Sequence, residues 1–115
     1  MTSEELAKLA VGALEDKKAE DIRVLDIRRI STIADYFIIA DGSNINQVHA
    51  LADNVEEVLG RAQAPDPRVE GYASGKWILL DYRDVIIHIF DRQDRLFYDL
   101  ERIWKDGKAI DPKEL

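Results

Sequence analysis

Two short apolar runs stand side by side late in the chain. The first is Trp77-Ile78-Leu79-Leu80-Asp81-Tyr82 and the second Val85-Ile86-Ile87-His88-Ile89-Phe90, with Arg83-Asp84 between them. β-Branched and aromatic residues in runs this short make strands, and so brief a polar break makes a hairpin. Both runs are apolar at nearly every position, so both faces of the hairpin should be covered. A buried hairpin carrying Trp77, Asp81, Tyr82 and His88 needs a helical layer on each side, or a partner protein on one.

The elements around the hairpin follow from periodicity. Residues 3–18 read as a helix, with Leu6, Leu9, Ala10, Ala13 and Leu14 on one stripe and Thr2 and Glu5 at capping-box spacing. Lys17 and Lys18 fall in its last turn, where cations suit the helix dipole. Residues 21–28 read as a strand whose charges alternate with apolar positions, which implies a wet face or a sheet edge. Residues 35–41 form a second strand that runs into Gly42-Ser43-Asn44, a turn and cap for a helix over 45–62. That helix carries Ile45, Val48, Leu51, Ala52, Val55, Val58 and Leu59 on its apolar stripe, with His49 at the surface.

Pro65 and Pro67 break the helix, and a short strand over 68–73 precedes the hairpin. Asp91 or Asp94 caps a third helix, with Leu96, Leu100, Ile103 and Trp104 as its apolar positions and Gly107 as its terminator. Ile110 to Leu115 reads as a polar tail. The expected fold is α/β: a two- or three-layer domain with a five-stranded mixed sheet and about three helices. The strand–helix–strand unit over 35–73 should be a right-handed parallel crossover.

Composition narrows the function classes. At 115 residues with 46% hydrophobic content, the chain reads as a single domain with a real core. No apolar run reaches membrane-spanning length, and the acidic start Met1-Thr2-Ser3-Glu4-Glu5 does not read as a targeting leader. Without cysteine there is no disulfide, no thiolate nucleophile and no cysteine-built zinc site, which fits a cytoplasmic protein. A net charge of −7 argues against direct DNA binding, because phosphate affinity comes from clustered Lys and Arg. It suits a basic protein partner, or solubility alone.

Three chemistries compete for these residues. Strand-Gly42-Ser43-helix has the form of a phosphate-facing turn, and Asp81 with Asp84 could be imagined as metal carboxylates of a nucleotidyl transfer site. Yet a spacing of three sends strand side chains to opposite faces, and Gly42-Ser43 reads more simply as a helix cap. His88 and His49 lie on different elements, so His88 reads as a buried histidine or as part of a partner interface. No metal site or cofactor is expected. The third chemistry is an interaction module. Trp77, Tyr82, Phe97, Tyr98 and Trp104 crowd the last third of the chain, and Trp, Tyr and Arg are common interface anchors. Phe97 and Trp104 read as core, whereas core and interface both stay open for Trp77 and Tyr82. Alternation puts Trp77, Leu79 and Asp81 on one face of their strand and Ile78, Leu80 and Tyr82 on the other.

The ordered set of segments resembles the ribosomal silencing factor family, also called RsfS or Iojap-like. It comprises Asp26 with Ser31, Asp35-Tyr36-Phe37-Ile38-Ile39, Gly42-Ser43, Glu70-Gly71, Trp77 to Asp81, Asp84-Val85, Val85 through His88 to Phe90, Arg95, Tyr98-Asp99-Leu100-Glu101 and Trp104. The resemblance covers about residues 3–106. It implies a binding protein and not an enzyme, with a nucleotidyltransferase-like fold that lacks the catalytic carboxylates. It further implies docking on the large ribosomal subunit through that subunit's ribosomal protein fourteen, blocking of small-subunit joining when nutrients are scarce or growth slows, a link to large-subunit maturation, and a homodimer when free. Carried onto this chain, the docking surface is expected at Trp77, Leu79, Asp81, Tyr82 and His88, with Arg95 and Tyr98 as further candidates.

Overall fold

The computed structural model describes residues 1–95 and 108–115, and gives the backbone alone for Asp94, Arg95 and Glu114. The elements are α1 (Ser3–Asp16), β1 (Glu20–Asp26), β2 (Tyr36–Gly42), α2 (Ile45–Arg61), β3 (Arg68–Glu70), β4 (Trp77–Asp81), β5 (Val85–Asp91), α3 (Arg92–Arg95) and β6 (Lys108–Ile110). A 3-10 turn, Pro112–Glu114, closes the chain. The expected third helix begins at α3; its remaining positions, from Leu96 to Gly107, lie outside the described residues.

One mixed sheet of six strands organises these elements, in the order β3-β4-β5-β2-β1-β6. This corrects the expectation of five. The sixth strand lies between the expected helix terminator Gly107 and the polar tail, sharing only Ile110 with the tail: Lys108, Ala109 and Ile110 pair antiparallel with Asp26, Leu25 and Val24. Ile110 and Leu115 then pack against the helix-side core. β2 runs parallel to its neighbour β5, from Tyr36 beside Val85 to Gly42 beside Asp91. β3 is antiparallel to β4, and β4 to β5, so β3 runs in the direction of β2 and the expected β2-α2-β3 unit is a parallel crossover that spans β4 and β5. β3 is three exposed residues, Arg68-Val69-Glu70, and takes the sheet edge outside β4. The apolar β5 takes the interior position, where both faces are covered. The strand expected over 68–73 stops at Glu70 because Gly71 turns the backbone to a φ of 78°.

Helices α1 and α2 lie together on one face of the sheet. Their apolar stripes meet Val24, Tyr36, Ile38, Ala40, Ile78, Leu80, Val85, Ile87 and Ile89, the alternate residues of four strands. On the opposite face Leu25, Ile27, Phe37, Ile39, Ile86 and Phe90 form a second buried cluster. The hairpin is therefore not uniformly buried. β5 is buried from Val85 to Phe90, whereas β4 alternates, with Ile78 and Leu80 buried and Trp77, Leu79 and Asp81 half-buried.

Helix ends are closed by local chemistry. Thr2 caps α1, its Oγ1 accepting from Glu5 N–H at 3.1 Å. The helix stops at Asp16, so Lys17 and Lys18 sit just past its last turn, and Lys18 has a φ of 60°. Asn44 caps α2 through Oδ1, 2.9 Å from Gln47 N. Ile45, placed on the buried stripe by periodicity, is 38% exposed. No helix among the described residues is long and apolar enough to cross a membrane.

Candidate functional site

The turn at Gly42-Ser43 is occupied by the protein's own side chains. Gln47 Oε1 accepts from Ser43 N–H at 2.5 Å and from Ser43 Oγ–H at 2.7 Å. The Nε2 of the same side chain donates to the carbonyls of Lys17 and Lys18, each at 3.1 Å. Gln47 thus fills the donors a phosphate would use and ties the start of α2 to the end of α1. Gly42 is needed for the close approach of strand to helix: a Cβ there would lie 2.7 Å from Val48 Cγ2.

The imagined metal pair fares no better. Asp81 Oδ1 accepts from Arg83 N–H at 2.7 Å, which stabilises the hairpin turn, and Asp84 is exposed. Among the described residues no group of three His, Cys, Asp or Glu could hold a metal ion.

The hairpin assembles a different kind of surface. In the β4–β5 ladder Trp77 stands opposite Phe90 and Leu79 opposite His88. These residues share the sheet face away from α1 and α2. The indole of Trp77 stacks on Phe90, with centroids 5.2 Å apart and planes at 22°. Its Nε1–H donates to His88 Nδ1 at 3.1 Å. Phe37 meets the imidazole edge-on at 4.9 Å. His88 is only 4% exposed, and burial pushes its pKa down to about 4. The ring is neutral at physiological pH, and its Nε2 has no hydrogen-bond partner among the described residues.

Of the residues singled out from sequence, four therefore lie together: Trp77, Leu79, Asp81 and His88. Tyr82 is separated from them. It is 8% exposed and packs in the core on the helix side. Burial, with the nearby charges of Glu56 and Asp66, raises the pKa of its phenol, and the hydroxyl is without a partner among the described residues. Arg95 lies at the end of α3 with its side chain undescribed, and Tyr98 is outside the described residues.

The loop before β4 is clamped to α2, an arrangement the periodicity of α2 did not reveal. Tyr72 Oη–H donates to Asp53 Oδ1 at 2.8 Å, and a ring nitrogen of His49 lies 2.5 Å from the Tyr72 carbonyl oxygen. The His49 and Tyr72 rings pack at 4.6 Å. His49 is half-buried and serves this loop. Gly75, with a φ of 70°, leaves room for it, since a Cβ there would sit 3.0 Å from His49 Cε1.

The site is a pre-set aromatic surface at the start of a central hairpin, without an assembled reaction centre among the described residues. The family model described as "Ribosomal silencing factor during starvation" matches residues 1–115. The chain belongs to the ribosomal silencing factor family. A ribosomal silencing factor RsfS from Halalkalibacterium halodurans is 39% identical over 96% of this chain and 95% of its own length. A crystal structure of a protein from Chromobacterium violaceum superposes with a TM-score of 0.89 at 38% identity, covering 91% of this chain and 88% of that one. A more distant relative, from mouse, is named mitochondrial assembly of ribosomal large subunit protein 1. It is 25% identical over 84% of this chain and 43% of its own length.

Proposed function

We propose that this protein docks on the large ribosomal subunit through that subunit's ribosomal protein fourteen and silences translation by blocking small-subunit joining. Family membership over the full chain is the observation that carries the reading. The mode of action suits the molecule. Steric blocking needs affinity and bulk but no chemistry, and relatives over nearly the whole chain are named ribosomal silencing factors. A net charge of −7 disfavours direct binding to ribosomal RNA and favours docking on a basic ribosomal protein.

The docking surface in this reading is the face carrying Trp77, Leu79 and Asp81, half-buried residues around an indole held in one pose. Arg95 and Tyr98 belong to it as further candidates. Pre-set aromatic side chains make good anchors because little rotamer freedom remains to be lost on binding. The free protein is a homodimer in the cytoplasm. If the dimer uses the same face, dimerisation competes with docking, and apparent affinity per protomer falls as concentration rises. A role in large-subunit maturation is favoured by the name of the mouse relative.

The test is a subunit-joining assay with the wild type and Trp77→Ala. Wild type should suppress joining, and Trp77→Ala should suppress it at least ten-fold less at equal folded concentration, the scale of a single anchor residue. Equal suppression by the two proteins would remove the docking face from the account.

A further inference from the structure

His88 was expected on the docking surface, yet at 4% exposure it cannot offer a partner more than a sliver of its ring. Its contacts are with its own chain. Trp77 and His88 are diagonal neighbours across the β4–β5 ladder, since Trp77 pairs with Phe90 and Leu79 with His88. Diagonal spacing lets large side chains meet, and here the indole reaches Nδ1 at 3.1 Å. An indole nitrogen only donates, so Nδ1 must accept, and the neutral ring carries its proton on Nε2. Phe37 and Phe90 flank the imidazole at 4.9 and 6.4 Å and fix its plane. Phe90 also supports the indole from below at 5.2 Å. Among the described residues, the half-buried indole is held by a stack on one side and by a directional hydrogen bond at its nitrogen.

We propose that His88 is a positioning residue for docking: it touches no partner itself, and its Nδ1 holds the Trp77 indole in the pose that the partner protein receives. This rests on the docking reading of the Trp77 face. The choice of histidine follows from geometry. An apolar residue could fill the site but would remove the acceptor, and with it the directional bond that sets the angle of the indole. Asparagine places Oδ1 where Nδ1 stands and keeps an acceptor, though it fills less space.

The variants His88→Leu and His88→Asn separate positioning from packing. His88→Leu removes a buried nitrogen with no partner at Nε2 among the described residues, so the fold should survive. Docking on purified large subunits is measured by sedimentation at equal folded concentration. In parallel, the indole N–H resonance of Trp77 is followed by NMR, assigned by its disappearance in Trp77→Phe. With the acceptor gone, His88→Leu should weaken docking about five- to ten-fold, the scale of one side chain's regained freedom. It should also move the Trp77 N–H resonance upfield and speed its exchange with water. His88→Asn should recover most of both. In a Trp77→Phe background, where no N–H remains to hold, His88→Leu should have no further effect on docking.

Undiminished docking by His88→Leu, with Trp77→Ala inactive, would overturn the positioning role and leave the docking face intact. Equal loss in His88→Leu and His88→Asn, or a further loss from His88→Leu in the Trp77→Phe background, would also overturn it, because packing alone would then explain the effect. Undiminished docking by Trp77→Ala would overturn the docking reading and the positioning role together.

Discussion

A Cβ on Gly71 would lie 2.1 Å from the carbonyl oxygen of Trp77. The loop between β3 and β4 therefore folds back so tightly that only glycine fits, and it does so at the first residue of β4. Gly71 also holds a φ of 78°, which L side chains rarely adopt.

Gly71→Ala should destabilise the fold by about 2–3 kcal/mol, combining the left-handed backbone with displacement of the Trp77 carbonyl. Gly12, inside α1 with nothing within 4 Å of an added Cβ, should respond with the opposite sign. Gly12→Ala should stabilise by up to about 1 kcal/mol, the helix-propensity difference. Urea unfolding midpoints of the two variants check both signs.

Gln47→Ala should lower stability by about 1–2 kcal/mol, since it frees Ser43 N–H and two carbonyls at the end of α1. Chemical denaturation reads the loss. The same variant exposes the α2 N-terminus, and it should still show no titratable nucleotide binding if the turn is a cap and nothing more.

Tyr82 separates core from surface. Tyr82→Phe removes a buried hydroxyl that has no partner among the described residues, and should leave stability unchanged or raise it by about 1 kcal/mol. Tyr82→Ala should cost about 3–5 kcal/mol through the cavity left against the helices. Docking by Tyr82→Phe should equal that of the wild type. A docking defect in this variant at full stability would place Tyr82 at the interface after all.

Much of this architecture was legible because burial wrote it into residue type. The β-branched runs of β4 and β5 and the stripes of α1 and α2 carry their partners' chemistry locally. The split of Trp77 from Tyr82 was readable from strand alternation alone. What escaped depends on residues far away in sequence. Lys108-Ala109-Ile110 has no strand signature of its own and becomes β6 only because β1 offers an open edge. The parallel direction of β2 and β3 was readable from the intervening helix, but the two strands that separate them were not, because β4 and β5 come later in the chain and β5 takes the interior by its hydrophobicity. Gln47 looked like an ordinary helix residue, since two of its acceptors lie 29 and 30 positions earlier. The burial of His88 was legible from its apolar strand, whereas its bond to Trp77 became visible only through the register of the ladder.

The buried imidazole makes stability depend on pH with a defined sign. Its folded pKa of about 4 lies below the ordinary value of 6.5, so the unfolded chain binds the proton more readily. The contribution is fully present above pH 6.5 and is lost as pH falls toward 4, by up to about 3 kcal/mol at 1.36 kcal/mol per pKa unit. Glu56 opposes it, because burial raises its carboxyl pKa and the folded state then holds that proton more tightly. Comparing urea midpoints of wild type and His88→Leu at pH 7.5 and pH 5 isolates the histidine. Wild type should lose more stability between the two.

Sedimentation of the purified protein with separated ribosomal subunits, followed by addition of the missing subunit, tests the central claim most directly. The account predicts co-migration with the large subunit, none with the small subunit, and reduced formation of joined ribosomes. Migration free of both subunits, or large-subunit binding with joining unimpaired, would contradict it.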